Sequence, residues 1–222
     1  DNLGMSVNSL QKLLAENLSV KVVMPVHFAG LAASMKEIKE VSDHYSVSVI
    51  EDAAHALGAT YVCGSKVGSC KFSDMTCFSF HPVKGVTSGE GGLITTNCPE
   101  KYKKLLMLRS HGICKGNFDF PGISSGLTND LIKPDRAFHN GRLNPWYYEM
   151  QDLGYNYRIT DFQAALALSQ LNKLDMFIKR RREIAERYDN WFQNSTDVEI
   201  KQHATRNISS LHLYTIKIDF EK

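Results

Sequence analysis

The chain has 222 residues, 43% of them hydrophobic and 23% charged, with a formal net charge of +2. Such a chain can bury a sizeable core, and its near-neutral balance gives no support to a polyanionic partner such as nucleic acid. No stretch reaches the about 18 apolar residues of a membrane span, and five cysteines without a CxxC pair argue for reduced thiols in a cytoplasmic protein, against a disulfide framework or a metal site.

Val20 to Val26 is a β-branched apolar run, closed by Pro25 and a turn at Gly30, and predicts a buried strand. Ser34 then caps a predicted helix with Met35, Ile38 and Val41 on one stripe and Lys36, Glu37, Lys39 and Glu40 on the other. Val47 to Ile50 is the next strand and ends at Glu51-Asp52. Strand, helix and strand within ~30 residues make a βαβ unit, hence an α/β fold with a mostly parallel sheet flanked by helices. Short strands are expected around Ala59–Val62, Thr76–Phe80 and Gly92–Thr95, with turns at Gly64-Ser65 and Gly68-Ser69. Pro99-Glu100 starts a helix that carries Tyr102, Leu105, Leu106 and Leu108.

From Cys114 to about Gln151 the periodicity disappears, and Pro121, Pro134 and Pro145 mark a long loop. Its aromatics, Phe118, Phe120, Trp146, Tyr147 and Tyr148, either shape a ligand pocket or tie the loop down. Arg158-Ile159-Thr160-Asp161 opens the longest predicted helix, which runs to about Phe192 with Phe162, Leu166, Leu171, Leu174, Ile178 and Tyr188 at helical spacing. The start, Asp1-Asn2-Leu3-Gly4, carries no signal-peptide pattern, and Tyr214 to Phe220 reads as a strand cut off within a domain. The chain is therefore expected to be an internal fragment.

Two residues point to a chemistry. Asp52 closes an apolar strand, and Lys84 follows the aromatic strand Phe78-Ser79-Phe80-His81-Pro82 and precedes the glycine cluster Gly89-Glu90-Gly91-Gly92. In an open parallel sheet ligands sit at the carboxyl ends of strands, so the two can meet in one crevice. A lysine that holds an aldehyde as a Schiff base and an aspartate that keeps a pyridine nitrogen protonated are what pyridoxal phosphate requires. The plain alternatives are that Asp52 caps the following turn and that Lys84 is a surface charge.

The runs IEDAAHALGA, KVGS, FSFHPVKGVTSGEGGLITTN, LRSHGI and LGYNYRITDFQAALALSQLNKLD resemble the DegT/DnrJ/EryC1/StrS sugar aminotransferases, in order and over nearly the whole chain. Within that family they are most similar to the branch that aminates UDP-linked 4-keto-6-deoxy sugars on the route to pseudaminic acid. The resemblance implies the large domain of a fold type I pyridoxal phosphate enzyme over 1–195, without its N-terminal part, and the start of a small C-terminal domain over 196–222. It implies Lys84 as the Schiff-base lysine and proton shuttle, Asp52 on the pyridine nitrogen and His55 beside the cofactor ring, where many members carry glutamine. Ser79 matches a ligand of the cofactor phosphate. Asn156 matches an asparagine that reaches that phosphate from the other subunit of a homodimer, and His212 a position on the sugar side. The implied partners are a nucleotide-sugar substrate and an amino acid donor, with glutamate foremost.

Two other readings stay open. Related dehydratases place histidine where this chain has Lys84, so the lysine speaks for transamination; a member of the fold that binds without turnover is the second. Gly89-Glu90-Gly91-Gly92 lacks the GKS/T of a phosphate loop and reads as a tight turn. Lys179-Arg180-Arg181-Arg182 reads as the solvated face of the long helix. His27 and His111, at element ends, read as packing residues.

Overall fold

The computed structural model describes residues 3–114, 137–140, 142–200, 205–218 and 220. They fall into two compact units, one formed by 1–97 with 159–222 and the other by 98–158.

The first unit is built on a four-stranded sheet of order β1 (Val22–Val23), β2 (Ser48–Asp52), β3 (Met75–Ser79) and β4 (Gly92–Thr95). The β1–β2 and β2–β3 pairs are parallel; β3–β4 is antiparallel. The sheet is therefore mixed, with an antiparallel strand on one edge of a parallel set. Alternation along β2 and β3 sorts the side chains. Val49, Glu51, Thr76 and Phe78 are buried on one face, and Asp52, Cys77 and Ser79 are half-buried on the other.

Two helices share the core with the buried face: α1 (Val7–Glu16) through Leu10 and Leu14, and α2 (Met35–His44) through Met35 and Ile38. Leu14, Ile38 and Val49 are no more than 1% exposed, and each such side chain contributes about 1.5–3 kcal/mol of burial free energy. The α2 stripe is as the sequence predicts. α1 is an additional helix that no expectation above covers, and Ser6 caps it by accepting from the N–H of Ser9.

Three expectations need correction. Ala59–Val62 is not a strand: Tyr61 N–H donates to the Ser65 carbonyl and Gly64 N–H to the Tyr61 carbonyl, folding the segment back on itself. Gly64 makes that turn at φ +84. The long helix is two, α4 (Asp161–Leu171) and α5 (Leu174–Phe192), separated by Asn172-Lys173, with α3 (Pro99–Leu108) preceding them in the second unit. The break aims Leu174 and Ile178 at Gly58, where a Cβ would lie 2.4 Å from Ile178 Cδ1. The 114–151 segment is not wholly irregular: β5 (Ile113–Cys114) pairs antiparallel with β8 (Glu149–Met150), and β6 (Phe138–His139) with β7 (Arg142–Leu143). Phe118 and Phe120 lie outside the described residues, while Trp146 is 82% exposed.

β9 (Val198–Ile200) and β10 (Ile216–Ile218) form a separate antiparallel pair. Between them, residues 208–213 pack on the turn at Ala29-Gly30. Ser210 N–H donates to the Gly30 carbonyl and Leu213 N–H to the Ala29 carbonyl. Gly30 has φ +98, and a Cβ there would meet Ser210 Oγ at 2.6 Å and the His212 nitrogen at 2.8 Å. Gly30→Ala is therefore expected to lower stability by about 1–3 kcal/mol, read by urea unfolding; an unchanged midpoint would mean that this approach relaxes freely.

Among the described residues no helix is long and apolar enough to cross a membrane, and no cluster of three or more His, Cys, Asp or Glu is placed to hold a metal ion. All five cysteines are free thiols.

Candidate active site

Asp52 is fixed on both sides of its backbone. Its N–H donates to the Pro25 carbonyl, and its own carbonyl accepts from His27 N–H, so β2 runs on beside Val26 to its last residue. The side chain accepts from Ala54 N–H through Oδ1 at 3.0 Å. The turn-capping alternative is thus real, and it orients the carboxylate.

Lys84 rides on the connection between β3 and β4. The base is closed by Phe80 N–H to the Gly91 carbonyl, and the interior by Ser88 N–H and Thr87 Oγ1, both donating to the Phe80 carbonyl. Val86 and Ser88 are buried and anchor the loop from within. Thr160 and Gln163 cap α4 reciprocally, and Gln163 Nε2 reaches on to the Glu90 carbonyl at 3.0 Å. The RITDFQ motif thereby ties down the far end of the lysine loop. Ser79, last residue of β3, stands on the Asp52 face of the sheet and accepts from His81 N–H.

His55 and His212 lie with ring centroids 4.3 Å apart, tilted by 33°. Ser210 holds them together by donating its hydroxyl to the His55 carbonyl at 2.8 Å. Burial, then the Lys84 charge, pushes the His55 imidazole below its ordinary range, opposed by Asp52. Burial pushes His212 down to about 4, with His55, Lys84 and Arg181 acting in the same direction. Asp52 and Lys84 thus both act on His55, and His55 and Lys84 on His212, near the carboxyl end of β2. Asn156 belongs to the other unit, where it is exposed, bridges Ser110 and accepts from Arg158 Nε at 3.1 Å.

Pyridoxal phosphate needs an amine, a carboxylate for its ring nitrogen, and polar groups for its oxygens. The crevice offers the first two in Lys84 and Asp52. It also holds the buried Nδ1 of His55, which has no hydrogen-bond partner among the described residues, an arrangement costly to leave unmatched. The residues fit the group.

Sequence reasoning missed two features. The first is a buried network behind Asp52. Glu51, 0% exposed, accepts from Tyr61 Oη at 2.6 Å, Thr76 Oγ1 at 3.0 Å, Ser73 Oγ and His27 Nε2 at 2.6 Å. His27 Nδ1 accepts from Ala33 N–H, which assigns the ring proton to Nε2. Burial alone would raise the Glu51 pKa, but hydrogen bonds from His27, Ser73 and Tyr61 outweigh it and hold the carboxyl below the ordinary carboxylate range. The second is Arg181. The basic run is only partly a solvated face, because Arg181 shares its side of α5 with the buried Ile178 and Ala185. That spacing of three and seven is the signal that could have found it.

The family model for the DegT/DnrJ/EryC1/StrS aminotransferase family matches residues 1–222. The UDP-4-amino-4,6-dideoxy-N-acetyl-beta-L-altrosamine transaminase of Campylobacter jejuni is 36% identical over 92% of this chain and 46% of its own length. Helicobacter pylori PseC, an aminotransferase of pseudaminic acid biosynthesis, superposes with a TM-score of 0.79 at 30% identity, over 98% of this chain and 50% of that one. A Streptococcus pneumoniae protein solved in its PLP form gives 0.76 at 28% identity, over 99% and 53%. The chain spans about half the length of the relatives it matches. On the match along its whole length, and with the fold and crevice described above, the chain belongs to the DegT/DnrJ/EryC1/StrS aminotransferase family.

Proposed function

We propose that the full-length protein is a pyridoxal phosphate-dependent aminotransferase that moves an amino group, with glutamate as donor, onto a UDP-linked 4-keto-6-deoxy sugar. The observation that carries this is the placement of His55, set against His212 and acted on by both Lys84 and Asp52, in a chain whose relatives are sugar aminotransferases. Bound pyridoxal phosphate supplies an electron sink that makes the donor's α-proton removable. Lys84 Nζ would hold the cofactor through its aldehyde carbon, and its amine would take and return that proton. Asp52, steadied by Ala54 N–H, keeps positive charge on the ring nitrogen. His55 contributes a hydrogen bond beside the ring, and Ser79 one to the phosphate.

The remaining assignments belong to the same reading. A homodimer brings Asn156 of a second copy to the phosphate. It is supported by α4, rich in apolar side chains yet without a buried residue, with Phe162 91% and Leu168 61% exposed. The separate β9–β10 pair supports a small domain beginning near 196, after a cofactor-binding large domain over 1–195. His212 faces the sugar, and the protein works in the cytoplasm.

The test is spectroscopic. Full-length protein is expected to carry a visible cofactor band that L-glutamate converts to the amine form, with 2-oxoglutarate released in equal amount. Asp52→Asn should slow that conversion by about 10²-fold or more. A protein without such a band, or one whose band no amino acid alters, overturns the reading; loss of a sugar hydroxyl without gain of nitrogen would point to dehydration.

A further inference from the structure

We infer that Arg181 and the small cavity beside it form an anion subsite that receives a carboxylate of the amino donor. The site is new with respect to the cofactor ligands above, and the identity of its occupant rests on the aminotransferase reading.

Four observations converge. Arg181 is half-buried on the inward face of α5, and burial lowers its pKa, so its charge is held at a cost. Among the described residues it makes no hydrogen bond or ion pair, whereas Arg180 pairs with Glu183 at 2.9 Å and Arg182 holds the Asn207 and Ser209 carbonyls. The Asp189 carboxylate on the same helix is occupied by Arg206 and by Tyr214 Oη. A half-buried cation without a protein anion is completed by a ligand anion.

The location is the second observation. A Cβ on Gly85 would lie 3.2 Å from Arg181 Nη1, so the guanidinium rests against the residue that follows Lys84. Its charge, like that of Lys84, also acts on His212. Third, the cavity is about 170 Å³, and Arg181 and His212 line it together with Ile184, Tyr188 and Tyr214. That is well below the ~300 Å³ at which pockets for nucleotide-sized ligands begin, and it suits a small anion with a short hydrocarbon stem. Fourth, the walls are set: Tyr188 and Tyr214 meet edge to face at 5.1 Å. A donor whose amine reaches Lys84 must place a carboxylate within a few bonds of it, and Arg181 offers the flat, two-pronged donor pair that carboxylates prefer.

The test uses full-length, cofactor-loaded protein and probes that cannot react. Calorimetry with glutarate, a dicarboxylate without an amine, is expected to show binding weakened about 10–100-fold in Arg181→Gln, with UDP binding unchanged and Arg181→Lys intermediate. Glutarate affinity unchanged in a folded Arg181→Gln overturns the proposal. So does weakened UDP binding alone, which would give Arg181 to a phosphate of the nucleotide. Should Arg181→Gln fail to fold, wild-type protein decides: glutarate, and not UDP or inorganic phosphate, is expected to protect Arg181 from phenylglyoxal in peptide mass spectrometry, and absence of protection overturns the site. Protection in a protein without a cofactor band would leave the anion site standing and fault the aminotransferase reading.

Discussion

Lys84→Ala in the full-length protein is expected to abolish amino transfer, by at least about 10³-fold, while leaving thermal stability nearly unchanged. The two outcomes separate because the loop is not held by the lysine. Its base rests on the Phe80–Gly91 hydrogen bond, its interior on Val86 and Ser88, and its far end on Gln163. What the substitution removes is the amine that attaches the cofactor and the base that moves the proton, and no other residue of the described crevice can do both. Borohydride should fix the cofactor to the Lys84 peptide in wild type and to none in the variant. A variant that keeps even a tenth of wild-type turnover would show that the lysine was misassigned.

Glu51→Ala should be the most damaging core substitution, costing about 3–5 kcal/mol. It strands four donors, from His27, Tyr61, Ser73 and Thr76, in a place where Glu51 and His27 are both 0% exposed. Glu51→Gln keeps the shape but sets an amide N–H₂ against donors, so it should lose a substantial part of the same amount. The pH dependence follows from the direction of the shift. The folded-state pKa of Glu51 lies below its ordinary 4.5, so its contribution is fully present above that value and is lost as pH falls through the lower folded one. Wild type should therefore lose stability below about pH 4.5 more steeply than Glu51→Gln. Guanidinium unfolding across that window measures it, and parallel slopes for the two proteins would refute the role given to this carboxylate.

The parts of the molecule that were legible are those written in local pattern. The α2 stripe of Met35 and Ile38, the strands ending at Asp52 and Ser79, and the Gly92–Thr95 strand follow from apolar runs and turn residues alone. The same pattern predicts that Asp52 and Lys84 face one crevice, because a parallel sheet brings its strand ends together. What was not legible depends on partners remote in the chain. Tyr61 reads as a strand residue, but its hydroxyl is drawn inward to Glu51, and a turn forms around it. Helical periodicity passes smoothly through Asn172-Lys173, so the break shows only where Leu174 and Ile178 meet Gly58. α1 was the opposite case: Ser6 with Leu10 and Leu14 was a readable signature. Arg181 hid in a charged run, where composition suggested solvent and only its register with Ile178 and Ala185 suggested the interior.

The hold of residues 208–213 on Ala29 and Gly30 has a consequence for the order of synthesis. The Ser210 hydroxyl reaches the Gly30 carbonyl across 180 residues of chain. A ribosome adding ~5–20 residues per second takes about 10–40 s to cover that distance. For the later part of that interval the βαβ half of the crevice has been made, but the strap that brings His212 against His55 does not yet exist. The nascent chain thus has the lysine loop and Asp52 well before it has the wall behind them. Cofactor capture before residue 213 is made would have to proceed on an open cleft, and residues 208–213 are the ones that close it.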